Sequence, residues 1–253
     1  MSKRNSQEAK RAARERLRIE REKQAKKERT RRQLLVALSV VGVLAVVAGI
    51  GIFVAKLNSQ DASDDGMSVT TAGTKAEKTV DVYEDLRCPA CASFEQAMGA
   101  PLQKGAEEGK YKLRVHLGAI IDGNMGGSGS RNAARALGAA KAVSVQAFAD
   151  YKAKLYSAKW HPEEQEDKFA DNDYLLKVSD TVPELKDNKA FEKAVKGKKY
   201  TKWAKDMIAG FNGADVQSTP TVKIDGEQVQ PQDVPAKLKE LGVDLKSGKD
   251  EKK

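Results

Sequence analysis

The chain has 253 residues and a formal net charge of +9, from 45 Lys and Arg against 36 Asp and Glu. That excess lies in residues 1–33, which hold fourteen Lys or Arg and five Glu; the other 220 residues carry 31 basic and 31 acidic side chains. The arm has no aromatic residue and its basic side chains alternate with Glu. This pattern argues against nucleic-acid binding and is typical of a cytoplasmic segment near anionic lipid headgroups.

Residues 34–54 form an uncharged apolar run directly after the arm. As a helix, twenty-one residues extend about 32 Å, which matches the ~30 Å hydrocarbon core of a bilayer. The run is longer than the apolar part of a signal peptide and no Ala-x-Ala site follows it, so we predict an uncleaved transmembrane helix over residues 34–55. Arg29, Arg31 and Arg32 border the run on its N-terminal side. This excess of positive charge before the run predicts that everything after the run is exported. A cleaved signal peptide is the alternative.

Three further regions follow the predicted span. Residues 56–78 are small and polar, so we expect a flexible linker. Residues 79–245 are enough for one domain with its own core. The charged tail, residues 246–253, is expected to be disordered.

The predicted domain starts and ends with strand patterns that enclose a helical block. Alternating residues 79–83 and 111–117 predict two strands around a helix over 89–104, a β-α-β unit. Helical patterns follow at residues 130–152, 173–179 and 188–207. A strand over 221–224, an Asp225-Gly226 hairpin turn, a strand at 228–229 and a helix over 234–241 complete the domain. This order predicts an α/β thioredoxin-like fold with a helical insertion at about residues 128–212.

The only cysteines, Cys88 and Cys91, stand as Cys-Pro-Ala-Cys between the first strand and its helix. At a helix N-terminus, free N–H groups and the helix dipole favour a thiolate at Cys88, and Arg87 adds positive charge. Pro89 suits the first helical turn, and Ala90 completes the motif. Cys91 lies on the inner side of that turn, so we expect it to be less exposed and to act as the resolving thiol.

Two other uses of this motif are half a zinc site and an inert disulfide. A structural zinc site needs two more good ligands. The only histidines are His116, expected on a strand, and His161, expected in a surface loop. We therefore predict a redox-active Cys88–Cys91 disulfide, with no metal and no other cofactor.

A second motif, Ser218-Thr219-Pro220-Thr221, directly precedes the later strand. The Thr219–Pro220 bond is either cis or an ordinary trans bond at a strand entrance. In a thioredoxin-type core this loop lies beside the dithiol, where its backbone can pair with a substrate peptide.

Together these motifs resemble the DsbA-like thiol-disulfide oxidoreductases in their membrane-anchored actinobacterial form. Asp85-Leu86-Arg87-Cys88-Pro89-Ala90-Cys91 is similar to the family's Asp-x-x-Cys-Pro-x-Cys. The Thr219-Pro220-Thr221 segment, with Asp225-Gly226 after it, is similar to the family's Thr-Pro-Thr segment and turn. The resemblance implies that Cys88 forms the mixed disulfide, that Cys91 resolves it, and that Thr219 and Pro220 guide the substrate backbone.

The chain departs from the family pattern at three places. The residue after Pro89 is Ala90 rather than the histidine that supports a strongly oxidising thiolate. Val82 stands where many relatives have a buried acid. Asp81, Glu84 and Asp85 are the candidates to replace that acid as proton carrier, and Asp85 is our choice. Ser218 replaces a glycine.

The resemblance implies an extracytoplasmic enzyme, expected to be a monomer, that introduces disulfides into exported cysteine-containing proteins. A membrane partner linked to quinone, of the DsbB or vitamin K epoxide reductase type, would reoxidise it. Two other functions stay open at this point. One is a disulfide reductase or isomerase, which the missing histidine favours. The other is a tethered thioredoxin-like module that binds a partner without catalysis.

Overall fold

The computed structural model describes residues 67–245, which contain one five-stranded sheet. Its strands are β1 (Val69–Ala72), β2 (Thr79–Glu84), β3 (Lys112–Leu117), β4 (Thr221–Ile224) and β5 (Glu227–Val229). The order across the sheet is β1-β3-β2-β4-β5. β2 and β3 are parallel, as a β-α-β unit requires, and the other neighbours are antiparallel. Asp225 and Gly226 have positive φ angles at the predicted hairpin turn.

Nine α-helices lie within the described residues, six of them inserted between β3 and β4. They are α1 (Pro89–Phe94), α2 (Ala100–Glu107), α3 (Ile120–Asn124), α4 (Gly129–Lys141), α5 (Val145–Leu155), α6 (Asn172–Ser179), α7 (Lys189–Lys196), α8 (Thr201–Gly213) and α9 (Val234–Glu240). The predicted order of β-α-β, helical block and ββα is confirmed.

Two long helices of the prediction are each broken in the structure. The helix predicted over 130–152 divides into α4 and α5, because Ser144 caps α5 by accepting a hydrogen bond from the Ala147 amide at 2.8 Å. The helix predicted over 188–207 divides into α7 and α8 at Gly197 and at Lys198, which has a φ of 51°. Asn188 caps α7 at the predicted start.

The linker prediction over residues 56–78 is wrong for Val69–Ala72, which forms β1 at the edge of the sheet. Val69 and Thr71 point into the protein and are buried, whereas Thr70 and Ala72 are half-buried. Val69 pairs with Val115 and Thr70 with Arg114. A four-residue edge strand with two threonines has too short an apolar alternation to stand out from a polar linker.

The helix after the dithiol changes geometry part of the way along its length. Between α1 and α2, residues Glu95–Gly99 form one π-helical turn. Pro101, at the start of α2, lacks the N–H that a regular α-helix needs, and such a local widening accommodates it. A Cβ on Gly99 would lie 2.6 Å from the Glu95 carboxyl carbon. The turn therefore places the Glu95 carboxylate against Gly99 and towards the interior.

Two apolar clusters form the core. The larger joins the inserted helices to Val115 and Leu117 of β3 and includes both cysteines. The smaller packs Val80 and Val82 of β2 against α2 and α9. Within residues 67–245 no helix has the length and apolar composition that crossing a membrane requires. The predicted arm (1–33), span (34–55) and tail (246–253) lie outside the described residues.

Candidate active site at the Cys88–Cys91 turn

Asp85 fixes the turn that carries the chain from β2 to Cys88. Its carboxylate is fully buried and accepts hydrogen bonds from the Arg87 amide (2.9 Å), the Ile121 amide (2.9 Å) and the Ser130 hydroxyl (2.6 Å). Its main-chain carbonyl accepts from the Cys88 amide at 3.0 Å. Burial raises the pKa of Asp85, although these hydrogen bonds act to lower it. With both oxygens occupied by structural donors, Asp85 holds the turn and is poorly placed to carry protons.

The two cysteines are free thiols at the start of α1, at its N-cap and third residue. Cys88 is 7% exposed and Cys91 is 0% exposed, so the expected asymmetry is confirmed. Pro89 and Ala90 lie between them and are exposed. Cys88 therefore keeps a small exposed fraction next to two exposed residues, whereas Cys91 has none.

The surroundings shift the pKa values of the two thiols in opposite directions. A hydrogen bond from the Cys91 thiol, followed by one with Thr219 and by the backbone amides of Cys91 and Ala90, stabilises a thiolate at Cys88 and lowers its pKa to about 6 in spite of burial. Burial, and then the neighbouring Cys88 sulfur, raise the pKa of Cys91 well above its ordinary value. The lowered pKa of Cys88 and the raised pKa of Cys91 therefore favour a thiolate at Cys88 and a thiol at Cys91 in the reduced site.

The loop before β4 meets the dithiol as predicted. The Thr219–Pro220 peptide bond is cis, and Cys88 Sγ lies 3.5 Å from the Thr219 carbonyl oxygen. Ser218 is exposed, and Thr219 and Pro220 are half-buried. The loop is therefore partly exposed next to the reactive sulfur.

The guanidinium group of Arg87, which the sequence predicts to add positive charge near Cys88, is paired with two carboxylates that offset its charge. Nη1 lies 3.0 Å from Asp122 Oδ1 and 3.1 Å from Asp167 Oδ1. The same group donates to the carbonyls of Gly126 and Glu164, each at 2.8 Å. Arg87 is 2% exposed and ties the turn before Cys88 to two loops of the insertion.

A buried charged cluster that the sequence did not predict lies behind Cys91. Lys152 of α5 donates to Glu84 Oε1 at 3.0 Å and to Glu95 Oε2 at 2.7 Å. Glu84 is fully buried at the end of β2, and its Oε2 has no hydrogen-bond partner among residues 67–245. Burial raises the pKa of Glu84 in opposition to the attraction of Lys152. The negative charge of Glu84 in turn helps to raise the pKa of Cys91, so the two groups are electrostatically coupled.

The two histidines have structural partners. His116 lies on β3 as predicted, with Nε2 2.7 Å from Asp81 Oδ1 and its ring stacked on Tyr83. His161 is half-buried rather than exposed in a surface loop, and its Nε2 donates to the Leu86 carbonyl at 3.0 Å. Burial lowers the pKa of His161. In the part of the chain that the structure describes, no three His, Cys, Asp or Glu side chains are grouped to bind a metal ion.

Comparison with known proteins places this geometry in a family. The thioredoxin family profile matches residues 65–241. The chain is similar to the reduced disulfide bond oxidoreductase DsbG of Mycobacterium tuberculosis, with 25% identity and a TM-score of 0.59 over 74% of this chain and 92% of that one. Oxidised DsbA of the same organism gives 26% identity and a TM-score of 0.58 over 72% and 96%.

More distant structures share the fold alone. MdbA of Corynebacterium matruchotii, a thiol-disulfide oxidoreductase, has 23% identity and a TM-score of 0.54 over 73% of this chain and 96% of that one. A search of curated proteins found no match. Since the family profile covers most of the chain, residues 65–241 belong to the thioredoxin family, with the helical insertion of DsbA-type proteins.

Proposed function

We propose that this chain is an extracytoplasmic thiol-disulfide oxidoreductase that introduces disulfides into exported proteins. The observation that carries the proposal is the pair of unequal thiols, Cys88 with its lowered pKa and buried Cys91, beside the cis Thr219–Pro220 bond. The likeness to DsbA and DsbG of M. tuberculosis supports the same chemistry.

In the oxidising direction, a substrate thiolate attacks Cys88 Sγ of the Cys88–Cys91 disulfide. The bond between the two cysteines breaks, and Cys91 leaves with the electron pair. A second substrate thiolate then attacks the substrate sulfur of the mixed disulfide and releases Cys88. Because Cys88 has a pKa of about 6, it is a good leaving group, and the reduced enzyme is stabilised relative to its disulfide.

Cys91 must gain a proton when it leaves and lose one when the disulfide reforms. Glu84 is the carboxylate best suited to this exchange, since its charge acts on Cys91 and Lys152 holds only one of its two oxygens. Asp85, the residue chosen from the sequence, has its oxygens occupied by three donors. We therefore assign the proton exchange to Glu84, with Lys152 holding it in place.

The proposed setting of the enzyme rests on the sequence. The basic arm and the apolar run support a single-pass membrane protein with its catalytic domain outside the cytoplasm. Disulfides persist in such an oxidising compartment. Exported cysteine-containing proteins are the proposed substrates, and a membrane quinone-linked reoxidase of the DsbB or vitamin K epoxide reductase type is the proposed electron acceptor. The catalytic domain is proposed to act as a monomer.

Cys91→Ser in the full-length protein tests the proposal. In this variant no Cys88–Cys91 disulfide can form, so the Cys88 thiolate attacks the disulfide of an exported protein, breaks that bond and releases one substrate thiolate, which is the reverse of the last step above. The attack by Cys91 that would resolve this mixed disulfide is lost. Exported proteins should therefore accumulate on Cys88, as reducible adducts on non-reducing gels, while Cys88→Ser/Cys91→Ser captures none. An empty Cys91→Ser trap would contradict the proposal.

A disulfide reductase is the second candidate, and Ala90 is the observation that favours it. A histidine at this position would add a further group to stabilise the Cys88 thiolate, so its absence makes the site less oxidising. Equilibration of the catalytic domain with glutathione separates the two directions. An oxidase should lie well above the roughly −270 mV of thioredoxin, and a reductase near or below it.

A further inference from the structure

Tyr156 lies one helical turn beyond Lys152 and belongs to the same buried cluster. It caps the C-terminal end of α5, four residues after Lys152, so the two side chains leave the same face of the helix. Tyr156 is fully buried. The Lys152 Nζ that lies 3.0 Å from Glu84 Oε1 also lies 5.5 Å from the centre of the Tyr156 ring. One ammonium group therefore contacts both the carboxylate and the aromatic ring.

Two polar atoms of this cluster make no hydrogen bond of regular geometry within residues 67–245, Glu84 Oε2 and the Tyr156 hydroxyl oxygen. A buried polar group without a partner carries its full desolvation penalty, so native structures rarely leave two of them side by side. Burial raises the pKa of Glu84 to about 7, and the charge of Lys152 and a hydrogen bond with Tyr156 oppose this rise. The hydroxyl is therefore the available partner for Oε2.

The protonation state of the hydroxyl sets the direction of this hydrogen bond. Burial, and then the charges of Glu84 and Cys91, raise the pKa of Tyr156 well above its ordinary value, so the hydroxyl keeps its proton. An ionised carboxylate can only accept hydrogen bonds, and the hydroxyl is then the donor. Since Lys152 already donates to Oε1, donation to Oε2 gives both oxygens of an ionised Glu84 a partner.

We propose that Tyr156 is a positioning residue for the proton exchange between Cys91 and Glu84. Its hydroxyl donates to Glu84 Oε2 and holds the carboxylate in the ionised form that accepts a proton. The inference rests on the proposed disulfide exchange and adds a residue to it. When the disulfide reforms, Cys91 passes its proton to Glu84, its sulfur attacks Cys88 Sγ, and the partner sulfur leaves as a thiolate. Removing the hydroxyl raises the pKa of Glu84 further, so less of the protein carries the base at a given pH.

The test follows this step in the reduced full-length protein mixed with a large excess of oxidised glutathione. The Cys88 thiolate attacks the glutathione disulfide and releases one glutathione thiolate. Cys91 then attacks Cys88 Sγ and releases the second, so one protein disulfide and two reduced glutathione molecules form. Acid quenching and mass spectrometry give the first-order rate of the second step from pH 5.5 to pH 8.5. In the wild-type protein this rate should rise with a midpoint near the Glu84 pKa of about 7.

Tyr156→Phe removes the hydroxyl and keeps the buried ring, so the variant should fold. Its midpoint should move up by about half to one pH unit, which lowers the rate about three- to tenfold at pH 6 and less than about twofold at pH 8.5.

The matched control is Tyr151→Phe, which removes a buried hydroxyl from within α5. That hydroxyl donates to the Leu175 carbonyl at 2.8 Å, and burial alone raises the pKa of Tyr151. The control should lose resistance to urea, because the Leu175 carbonyl loses its donor, and should keep the wild-type midpoint.

The possible failures are distinct. An unchanged midpoint in Tyr156→Phe, the same shift in Tyr151→Phe, or a wild-type rate that does not vary with pH would overturn the positioning role and leave the proposed function standing. A wild-type protein that forms no Cys88–Cys91 disulfide from oxidised glutathione would overturn both.

Discussion

The buried cluster behind Cys91 and the lysine-rich segment formed by residues 186–205 both pair lysine with glutamate. The pairs are buried in the cluster and exposed in the segment. In the buried cluster, one lysine, Lys152, is held between Glu84 and Glu95 and is 7% exposed. In the lysine-rich segment all eight lysines are exposed, and Glu192 pairs with both Lys189 and Lys196. The contacts have similar lengths, so burial rather than geometry distinguishes them.

This difference indicates that ion pairs affect the stability of the protein most where they are buried. Exposed pairs contribute about 0–1 kcal/mol, because water screens the charges and the side chains lose conformational freedom. Breaking a buried pair leaves an uncompensated charge and costs about 3–5 kcal/mol. The buried cluster also raises the pKa of the Cys91 thiol, and the exposed pairs of the lysine-rich segment do not. Four predictions test this contrast.

The largest effect is expected for Lys152→Met. This change leaves Glu84 and Glu95 in the interior without their cation, and we expect a loss of about 3–5 kcal/mol in the free energy of unfolding at pH 8. The Glu84 pKa is already raised, and losing Lys152 raises it further, so the folded state binds a proton more tightly than the unfolded state. Stability should therefore be recovered as the pH falls and lost as it rises. Urea unfolding at pH 5 and pH 8 measures both.

Glu84→Gln should affect catalysis more than folding. Without a carboxylate to exchange the proton of Cys91, disulfide reformation at Cys91 should slow by roughly a hundredfold near neutral pH. Stopped-flow measurement of Cys91 attacking a preformed Cys88 mixed disulfide, as a function of pH, isolates this step. Glu95→Gln removes the other carboxylate on Lys152 and serves as the control. Equal slowing in both variants would indicate that the cluster acts only through structure.

The stability of the reduced protein should depend on pH through Cys88. Its pKa is lowered to about 6 in the folded state from 9.0 in an unperturbed thiol, so the unfolded state binds more protons between these values. Stability should rise from pH 6 to pH 9 and be lost as the pH falls through 6. Cys88→Ser should lose this contribution and keep the opposite slope that the raised pKa values of Glu84 and Cys91 give, so an unchanged slope in that variant would contradict the assignment.

The smallest effect is expected at the exposed pair. Lys196→Met should change the free energy of unfolding by less than about 1 kcal/mol, and added salt should reduce even that difference. The measurement uses the same urea titration as for Lys152→Met. A loss as large as that of Lys152→Met would remove the distinction between the two regions.

The fold was largely predictable because its signals are local. Alternating residues identified β2 and β3, and Asp225-Gly226 identified the hairpin. The long predicted helices are divided by single capping residues such as Ser144. The periodic pattern of apolar residues does not show where such a cap lies. β1 is recognisable only from its pairing with β3, a contact between residues about 45 positions apart.

The site was predictable where the motif is contiguous and unpredictable where side chains converge from distant elements. Cys88, Cys91 and the Thr219–Pro220 loop meet as expected. The orientation of Arg87 depends on Asp122 and Asp167, and the role of Glu84 depends on Lys152 in the insertion. The order of charged residues in the sequence does not show which buried partner each side chain contacts in the fold.

The most direct test of the central claim is the pH dependence of alkylation of the two thiols in the reduced protein. Reaction with iodoacetamide, followed by peptide mass mapping, reports each cysteine separately. The structure predicts that Cys88 alone is modified, with a midpoint near pH 6, while Cys91 stays unmodified until the protein unfolds. Modification of both cysteines with midpoints near pH 9 would contradict the account.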